Sequence, residues 1–205
     1  TMLISGLGSI GIFSALVGFT AISLKKQWVD QKWVRIFALG AVLIQGLFIH
    51  QLIDTGEGQN LNIFNMLTFT SWLAMIVLLI NSLKRDVTLL FLTMGLFAIA
   101  AIMVSLMVNQ PVFWQLKGQW ASLMHIFTAM TAMGFLLLAA LQALLLAYAD
   151  NQLRTHPTQI PFYIPALQTL ESFLFQLIAI GFLFMSMALL IAFTSLQSTI
   201  SEQPI

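Results

Sequence analysis

The sequence predicts an all-α membrane protein, a polytopic bundle of six transmembrane helices that forms a single domain over residues 1–205. Hydrophobic residues make up 60% of the chain and charged residues only 7%, whereas soluble domains carry roughly 25% charged residues. The hydrophobic residues form continuous runs of about 20 residues, the length at which a helix crosses a bilayer. Apolar and polar residues do not alternate within these runs, which argues against the strands of a membrane barrel.

The predicted spans follow one another with mostly short connections, and their approximate bounds are 3–24, 34–53, 64–83, 87–108, 121–149 and 173–196. The third span has Asn62 or Asn65 as its predicted N-cap. The fifth is long enough to tilt or to project beyond the membrane, at about 1.5 Å per residue. In the long connection 150–172, Pro157 and Pro161 predict extended backbone, and a helix is expected to resume after Pro165 and lead into the sixth span.

The basic residues predict how the bundle is oriented. Only Lys117 lies on one side of the membrane, and seven lie on the other: Lys25, Lys26, Lys32, Arg35, Lys84, Arg85 and Arg154. Basic connections stay in the cytoplasm, so the N-terminus is predicted to be periplasmic in a multi-pass protein of the bacterial inner (plasma) membrane. Tryptophans are expected at both lipid–water boundaries, Trp114 and Trp120 outside and Trp28 and Trp33 inside. Lipid is the expected partner, and nothing in the net charge of +1 indicates nucleic acid.

Two of the three histidines lie inside spans, at matched depth below the outer face. His50 is about three residues from the end of the second span and His125 about four residues into the fifth, so both lie roughly 5–6 Å deep. Polar groups are costly in a bilayer, and paired imidazoles are axial ligands of haem iron. Two interpretations are open at this point, and one is that His50 and His125 bind the iron of one haem b. The alternative is that each histidine is interfacial and hydrogen-bonded to a neighbour.

Other polar residues have simpler expected roles. Gln45, Asn81, Ser105, Gln142 and Gln176 are expected to form hydrogen bonds between packed helices. Met124 is a weaker candidate for an iron ligand, because adjacent helical residues point about 100° apart. His156 is expected to be solvated in the cytoplasmic connection, and Lys117 either is solvated or pairs with a haem propionate.

Several classes of chemistry are excluded. The chain has no cysteine, which rules out disulfides, cysteine-ligated zinc and iron–sulfur clusters. It contains no phosphate-binding loop, no GxSxG or HExxH motif and no paired carboxylates within a span. With no nucleophile and base in a recognisable arrangement, an independent enzyme is not expected.

An ordered set of segments carries a family resemblance. After His50 come the sequences GQNLNIFN (58–65), LMHI (123–126), AALQALLLA (139–147) and PALQTLE (165–171). In this order they resemble the cytochrome c assembly protein family, in its HemX-like and YpjD-like inner-membrane branch, which is related to CcsA and CcmC. The resemblance covers nearly the whole chain. It implies a haem-binding or haem-handling protein whose outer histidines, here His50 and His125, ligate haem, with cytochrome c maturation proteins as partners.

The chain departs from that family in two ways, and two other functions remain open. The WGxxWxWD loop of the haem-delivery members is absent, and the branch has further C-terminal helices, so we expect either a fragment or a shortened member. One alternative is a small-solute transporter whose pathway is lined by Gln45, Asn81, Gln142 and Gln176, although no charged residue lies deep within a span. The other is a cofactor-free scaffold or regulator of partner membrane proteins.

Overall fold

The structure, a computed structural model, describes residues 2–26, 30–55, 58–108, 111–114, 120–155 and 166–201. Within these ranges the helices are α1 (Met2–Lys25), α2 (Gln31–Ile53), α3 (Ile63–Asn81), α4 (Thr88–Met107), α5 (Trp120–Thr155) and α6 (Leu167–Ser201). All six are long and apolar enough to cross a membrane, which confirms the six predicted helical spans. Inside a bilayer no water is available to hydrogen-bond the backbone N–H and C=O groups. A long apolar run therefore forms a helix, in which these groups bond to one another.

Three short strands that the sequence analysis did not predict join two connections at one end of the bundle. They are β1 (Asp54–Thr55), β2 (Gly58–Asn60) and β3 (Phe113–Trp114), paired antiparallel in the order β1-β2-β3. Gly58 has a φ of 134°, which glycine adopts without steric cost, and so the chain can turn back on itself. The sheet ties the α2–α3 connection to the α4–α5 connection. We call this end of the bundle the sheet end.

The opposite end, here called the basic end, contains the α1–α2, α3–α4 and α5–α6 connections. It carries the seven basic residues that the sequence analysis placed on one side: Lys25, Lys26, Lys32, Arg35, Lys84, Arg85 and Arg154. Trp33 is exposed at this end, and Trp114 and Trp120 are exposed at the sheet end, as an aromatic belt requires. Trp28, Lys117 and His156 lie outside the described residues. Which end faces the cytoplasm stays a prediction.

Helix starts follow local capping chemistry. The Asn62 side chain accepts a hydrogen bond from the Asn65 N–H at 2.8 Å, which confirms the predicted cap of α3. In the same way, Asp30 accepts from the Lys32 N–H at 3.0 Å at the start of α2. Helix α6 begins at Leu167, so a helix does lead into the sixth predicted span.

Helix α5 continues past its predicted end at residue 149. It runs to Thr155, and its last turns include an ion pair of 2.9 Å between Arg154 and Asp150. These residues are four apart, the spacing at which opposite charges support a helix. At about 1.5 Å per residue α5 is about 54 Å long, well beyond the roughly 30 Å of a hydrocarbon core.

Helix α3 packs against α2, α4 and α5, and α4 also packs against α1, α2 and α5. Helix α1 packs against α2 and α4, and α6 packs against α5. The helices α3 and α5 come closest at Gly134, where an added Cβ would lie 3.3 Å from the backbone nitrogen of Ala74. The largest fully buried side chains of the core include Phe13, Leu16, Phe48, Met75, Leu78, Phe91 and Met94.

Candidate functional site

A cavity of about 260 Å³ opens at the sheet end between α2, α3 and α5. We call it the sheet-end cavity. Its polar lining consists of His50, Asp54 and Gln59. The remaining lining residues are apolar: Ile49, Ile53, Leu61, Met66, Phe69, Leu123, Ile126 and Phe127. A mostly apolar pocket with a few polar groups at one edge is the usual form of a cofactor site.

His50 lies in the last turn of α2 and lines this cavity. Its side chain is 73% exposed, and its Nδ1 lies 3.8 Å from Oδ2 of Asp54, one turn further along the chain. The distance is too long for a direct hydrogen bond, but the nearby carboxylate favours the tautomer with the proton on Nδ1. A neutral imidazole in that tautomer has its lone pair on Nε2. His50 therefore presents Nε2 as a donor to a metal.

His125 lies in the second turn of α5, at the same end of the bundle, but it faces another neighbour. Its Nδ1 is 2.9 Å from the backbone carbonyl oxygen of Ala188 in α6. A carbonyl oxygen only accepts hydrogen bonds, so Nδ1 carries the proton and Nε2 has the lone pair. Metal-bound histidines commonly make this kind of bond, and so do histidines that simply join two helices.

The structure brings His50 into the sheet-end cavity and does not bring His125 into its wall. Within α5 the cavity is lined by Leu123, Ile126 and Phe127, and His125 turns from this face toward α6. Both α2 and α5 pack against α3. The shared iron site of His50 and His125 therefore stays a prediction.

Sequence reasoning missed Met66, whose side chain lines the cavity together with His50. A thioether is a weak but established axial ligand of haem iron, often paired with histidine. The spacing held a usable signal, because Met66 and Phe69 are three residues apart on one face of α3. Met124, the alternative ligand considered from the sequence, is 49% exposed and does not line the cavity.

A metal held by protein ligands alone finds little support in the described part of the chain. No three histidine, aspartate or glutamate side chains come together there. Some metal centres need fewer protein ligands because the metal arrives with ligands of its own. Haem iron does so, because the macrocycle supplies its equatorial nitrogens and the protein adds only axial ligands.

Two of the buried amides predicted to join helices do so. Gln45 is fully buried, and its Nε2 donates to Ser71 Oγ at 2.9 Å and to the Thr68 carbonyl at 3.3 Å, which links α2 to α3. Gln142 is also fully buried and donates to the Leu170 carbonyl at 2.9 Å, which links α5 to α6.

The other three polar residues form hydrogen bonds at sites that are separate from one another. Asn81 donates to the Val77 carbonyl within its own helix at 2.9 Å. Ser105 bonds within α4, and Gln176 accepts a bond from Arg85 at 2.7 Å. Of the four amides considered for a transport pathway, only Gln142 lines any of the described cavities. The described cavities therefore do not form a passage through these amides.

Comparison with known proteins gives one match. Residues 33–193 match the model of a family described as cytochrome C assembly protein. The matched stretch covers most of the chain, from the first turn of α2 into α6, and it includes every residue that lines the sheet-end cavity. No curated protein and no solved structure matches the chain.

Proposed function

The chain belongs to the cytochrome c assembly protein family, and on this basis we propose that it binds haem at the sheet end of its membrane bundle. Family membership supports a role in cytochrome c maturation. The observation that carries the more specific proposal is the position of His50, whose exposed imidazole lines a mostly apolar cavity.

The residues of the sheet-end cavity suit one face of haem. His50 Nε2 binds the iron, and the nearby Asp54 carboxylate favours the tautomer with the proton on Nδ1. Ile49, Phe69 and Phe127 exclude water from the macrocycle. At about 260 Å³ the cavity is smaller than the roughly 300–1,000 Å³ of pockets that enclose a ligand. It therefore covers part of the ring, which suits a cofactor that is passed on rather than kept.

The second axial ligand has two candidates, and each has its own support. His125 is supported by its predicted depth and by its Nδ1 bond to Ala188, which leaves Nε2 as the donor atom. Met66 is supported by its position in the cavity that contains His50. The two differ in chemistry, because a histidine pair and a histidine–methionine pair give different spectra and potentials.

The proposal includes the setting of the site. We place the protein in the bacterial inner membrane, in the HemX-like and YpjD-like branch, with its N-terminus and sheet end periplasmic. The bound group is haem b, and the role is binding and handing on rather than catalysis. Cytochrome c maturation proteins are the proposed partners.

Absorption spectroscopy of the purified protein tests this function. We expect protein from haem-replete cells to show a Soret band and His50→Ala to lose most of it, because His50 is the ligand common to both candidate pairs. If the second ligand is His125, then His125→Ala converts a low-spin spectrum to a high-spin one and Met66→Leu does not. If it is Met66, the two variants behave the other way round.

His156→Ala is the matched control, since it removes an imidazole from the connection at the basic end. It should retain the full Soret band. A wild-type protein that contains no haem and takes up none on titration contradicts the proposal, as does equal haem loss from His156→Ala and His50→Ala. In either case the scaffold function becomes the better explanation of the family match.

A further inference from the structure

A second polar cavity, of about 180 Å³, lies at the basic end between the α3–α4 turn, α5 and α6. We call it the basic-end cavity. Its polar lining residues are Lys84, Arg85, Asp86, Thr88, Gln142 and Thr169. None of them belongs to the sheet-end cavity, and the proposed haem binding uses none of them.

Two polar atoms beside this cavity are buried without a hydrogen-bond partner: Nη1 of Arg85 and Oε1 of Gln142. The other groups of the same side chains are bound. Nη2 of Arg85 donates to Gln176 at 2.7 Å, its guanidinium lies 5.0 Å from the centre of the Phe173 ring, and Nε2 of Gln142 donates to Leu170. Buried polar groups in proteins nearly always have partners. Three more such atoms occur elsewhere in the described chain, namely Arg35 Nε, Gln45 Oε1 and Asn65 Oδ1. The Arg85 and Gln142 atoms differ from these because their side chains line a cavity that also contains Lys84.

The charge of the basic-end cavity is positive. Within the described residues, neither Lys84 nor Arg85 has a carboxylate within ion-pair distance. Asp86 also lines the cavity, but its carboxylate accepts from the backbone N–H and the hydroxyl of Thr88, at 3.0 and 2.7 Å, and so is bound at the start of α4. The cavity therefore favours an anion, and the fork of the Arg85 guanidinium matches a phosphate or a carboxylate.

A large apolar groove adjoins this cavity on its lipid side. The groove has a volume of about 490 Å³ and lies between α1, α4 and α5. It shares Leu89 and Leu145 with the basic-end cavity, so the two are side by side. Leu24, Leu92, Leu141 and Leu144 complete most of its wall, and Lys25 and Tyr148 lie at the basic end of the same groove.

From this arrangement we propose that the two adjoining cavities bind one anionic glycerophospholipid, of the phosphatidylglycerol type, from the leaflet at the basic end. The phosphate binds Arg85 and Lys84, and an acyl chain lies in the leucine-lined groove. A glycerol headgroup carries no positive charge, so it leaves the lipid with the net negative charge that this basic cavity favours. Clustered basic residues at a membrane face select anionic lipids for the same electrostatic reason.

Haem is also an amphipathic anion, but the described lining favours lipid. Neither the basic-end cavity nor the groove is lined by a histidine or a methionine. Tyr148, in the groove, is the one lining residue of a type that ligates haem iron, and neither site offers the histidine or methionine that the sheet-end cavity supplies.

Native mass spectrometry of the full chain in detergent tests the proposal. The protein is titrated with phosphatidylglycerol and with phosphatidylethanolamine of the same acyl chains. We expect one phosphatidylglycerol to bind, with an affinity about fivefold above that of phosphatidylethanolamine. Lys84→Gln should lower that affinity about fivefold, as expected for one basic residue at a membrane surface. Thr93→Trp fills the groove without changing a charge and should also weaken binding, because the acyl chain loses its place.

Lys32→Gln is the matched control, since it removes one positive charge from the same end at an exposed residue that lines neither cavity. It should bind phosphatidylglycerol as the wild type does. Arg85→Gln should show the largest loss. If that variant does not fold, Lys84→Gln and Thr93→Trp still decide the matter. Equal affinity for the two lipids overturns the proposal, as do equal losses in Lys32→Gln and Lys84→Gln, unchanged binding in Thr93→Trp, and one-for-one displacement of the lipid by haemin.

Discussion

At the scale of single residues, several polar side chains of this bundle bond a backbone carbonyl of a neighbouring helix or turn. Arg35 shows the pattern, because its Nη2 donates to the Ser82 carbonyl and to Gln31 Oε1. Ser82 is the C-cap of α3, where the last carbonyls have no partner within the helix. Arg35 thus joins the start of α2 to the end of α3.

Replacing Arg35 by lysine should destabilise the protein by about 1 kcal/mol, the net value of one lost hydrogen bond. The charge remains, but both bonds come from Nη2 at the far end of the guanidinium, and the shorter lysine side chain does not place its ammonium at the same point. A denaturant titration in detergent measures the loss. Lys26→Arg, a change at an exposed residue of the same end, should leave stability unchanged. Equal stability of Arg35→Lys and the wild type would show that the bond to Ser82 contributes nothing.

The role of a residue was predictable from the sequence where its partner is close along the chain. It was not predictable where the partner is distant along the chain. Asn62 caps the helix that begins next to it, so its position along the chain predicts its role. The acceptor of Arg35 is 47 residues away, and the acceptor of His125 is 63 residues away. His125 faces α6 because of how α5 and α6 pack. Its depth along α5 does not indicate how α5 is rotated about its own axis, and this rotation decides which neighbour His125 faces.

At the scale of elements, the spans were predictable because hydrocarbon leaves an apolar run no alternative to the helix. The three strands were not, because each has only two or three residues and pairs with a partner from another connection. The ends of α5 and α6 were predicted from where the apolar run stops. Both helices continue beyond the apolar run through polar turns outside the hydrocarbon. In α5 these turns contain the Asp150–Arg154 ion pair.

Helix packing gives a prediction at Gly134, where α5 meets the backbone of α3. Gly134→Leu should destabilise the bundle by about 1–3 kcal/mol, the usual cost of overpacking, because the backbone of Ala74 cannot move aside as a side chain can. Gly18→Leu is the matched control, since a Cβ at Gly18 meets nothing within 4 Å. Unfolding titrations of the two variants should differ clearly. If Gly134→Leu is as stable as Gly18→Leu, α3 and α5 are not held this close.

At the scale of the whole molecule, the two ends of the bundle are chemically distinct. The sheet end has a cavity with an imidazole at its edge, and the basic end has a cationic cavity beside an apolar groove. The proposed haem binding at one end and the proposed lipid binding at the other use separate residues, so variants at one end should leave binding at the other end unchanged.

The orientation of the bundle is testable with reporter fusions. Because seven of the eight basic residues lie at the basic end, we expect a fusion after Leu83 to report the cytoplasm and a fusion after Val108 to report the periplasm. The two fusions serve as controls for each other, since a single orientation cannot give the same report at both positions. The reverse pattern would put His50 and the sheet end in the cytoplasmic leaflet.

The three-stranded sheet has a consequence for the order in which the protein is made. Strands β1 and β2 are neighbours in the chain and can pair as soon as α2 and α3 are inserted, but β3 emerges only after α4, some fifty residues later. Because the ribosome adds about 5–20 residues per second, one edge of β2 stays unpaired for several seconds until β3 has been synthesised. The α5 wall of the sheet-end cavity follows β3 directly. The cavity therefore stays open toward lipid until the fifth helix arrives, and a nascent chain stalled before residue 113 displays His50 without a binding site around it.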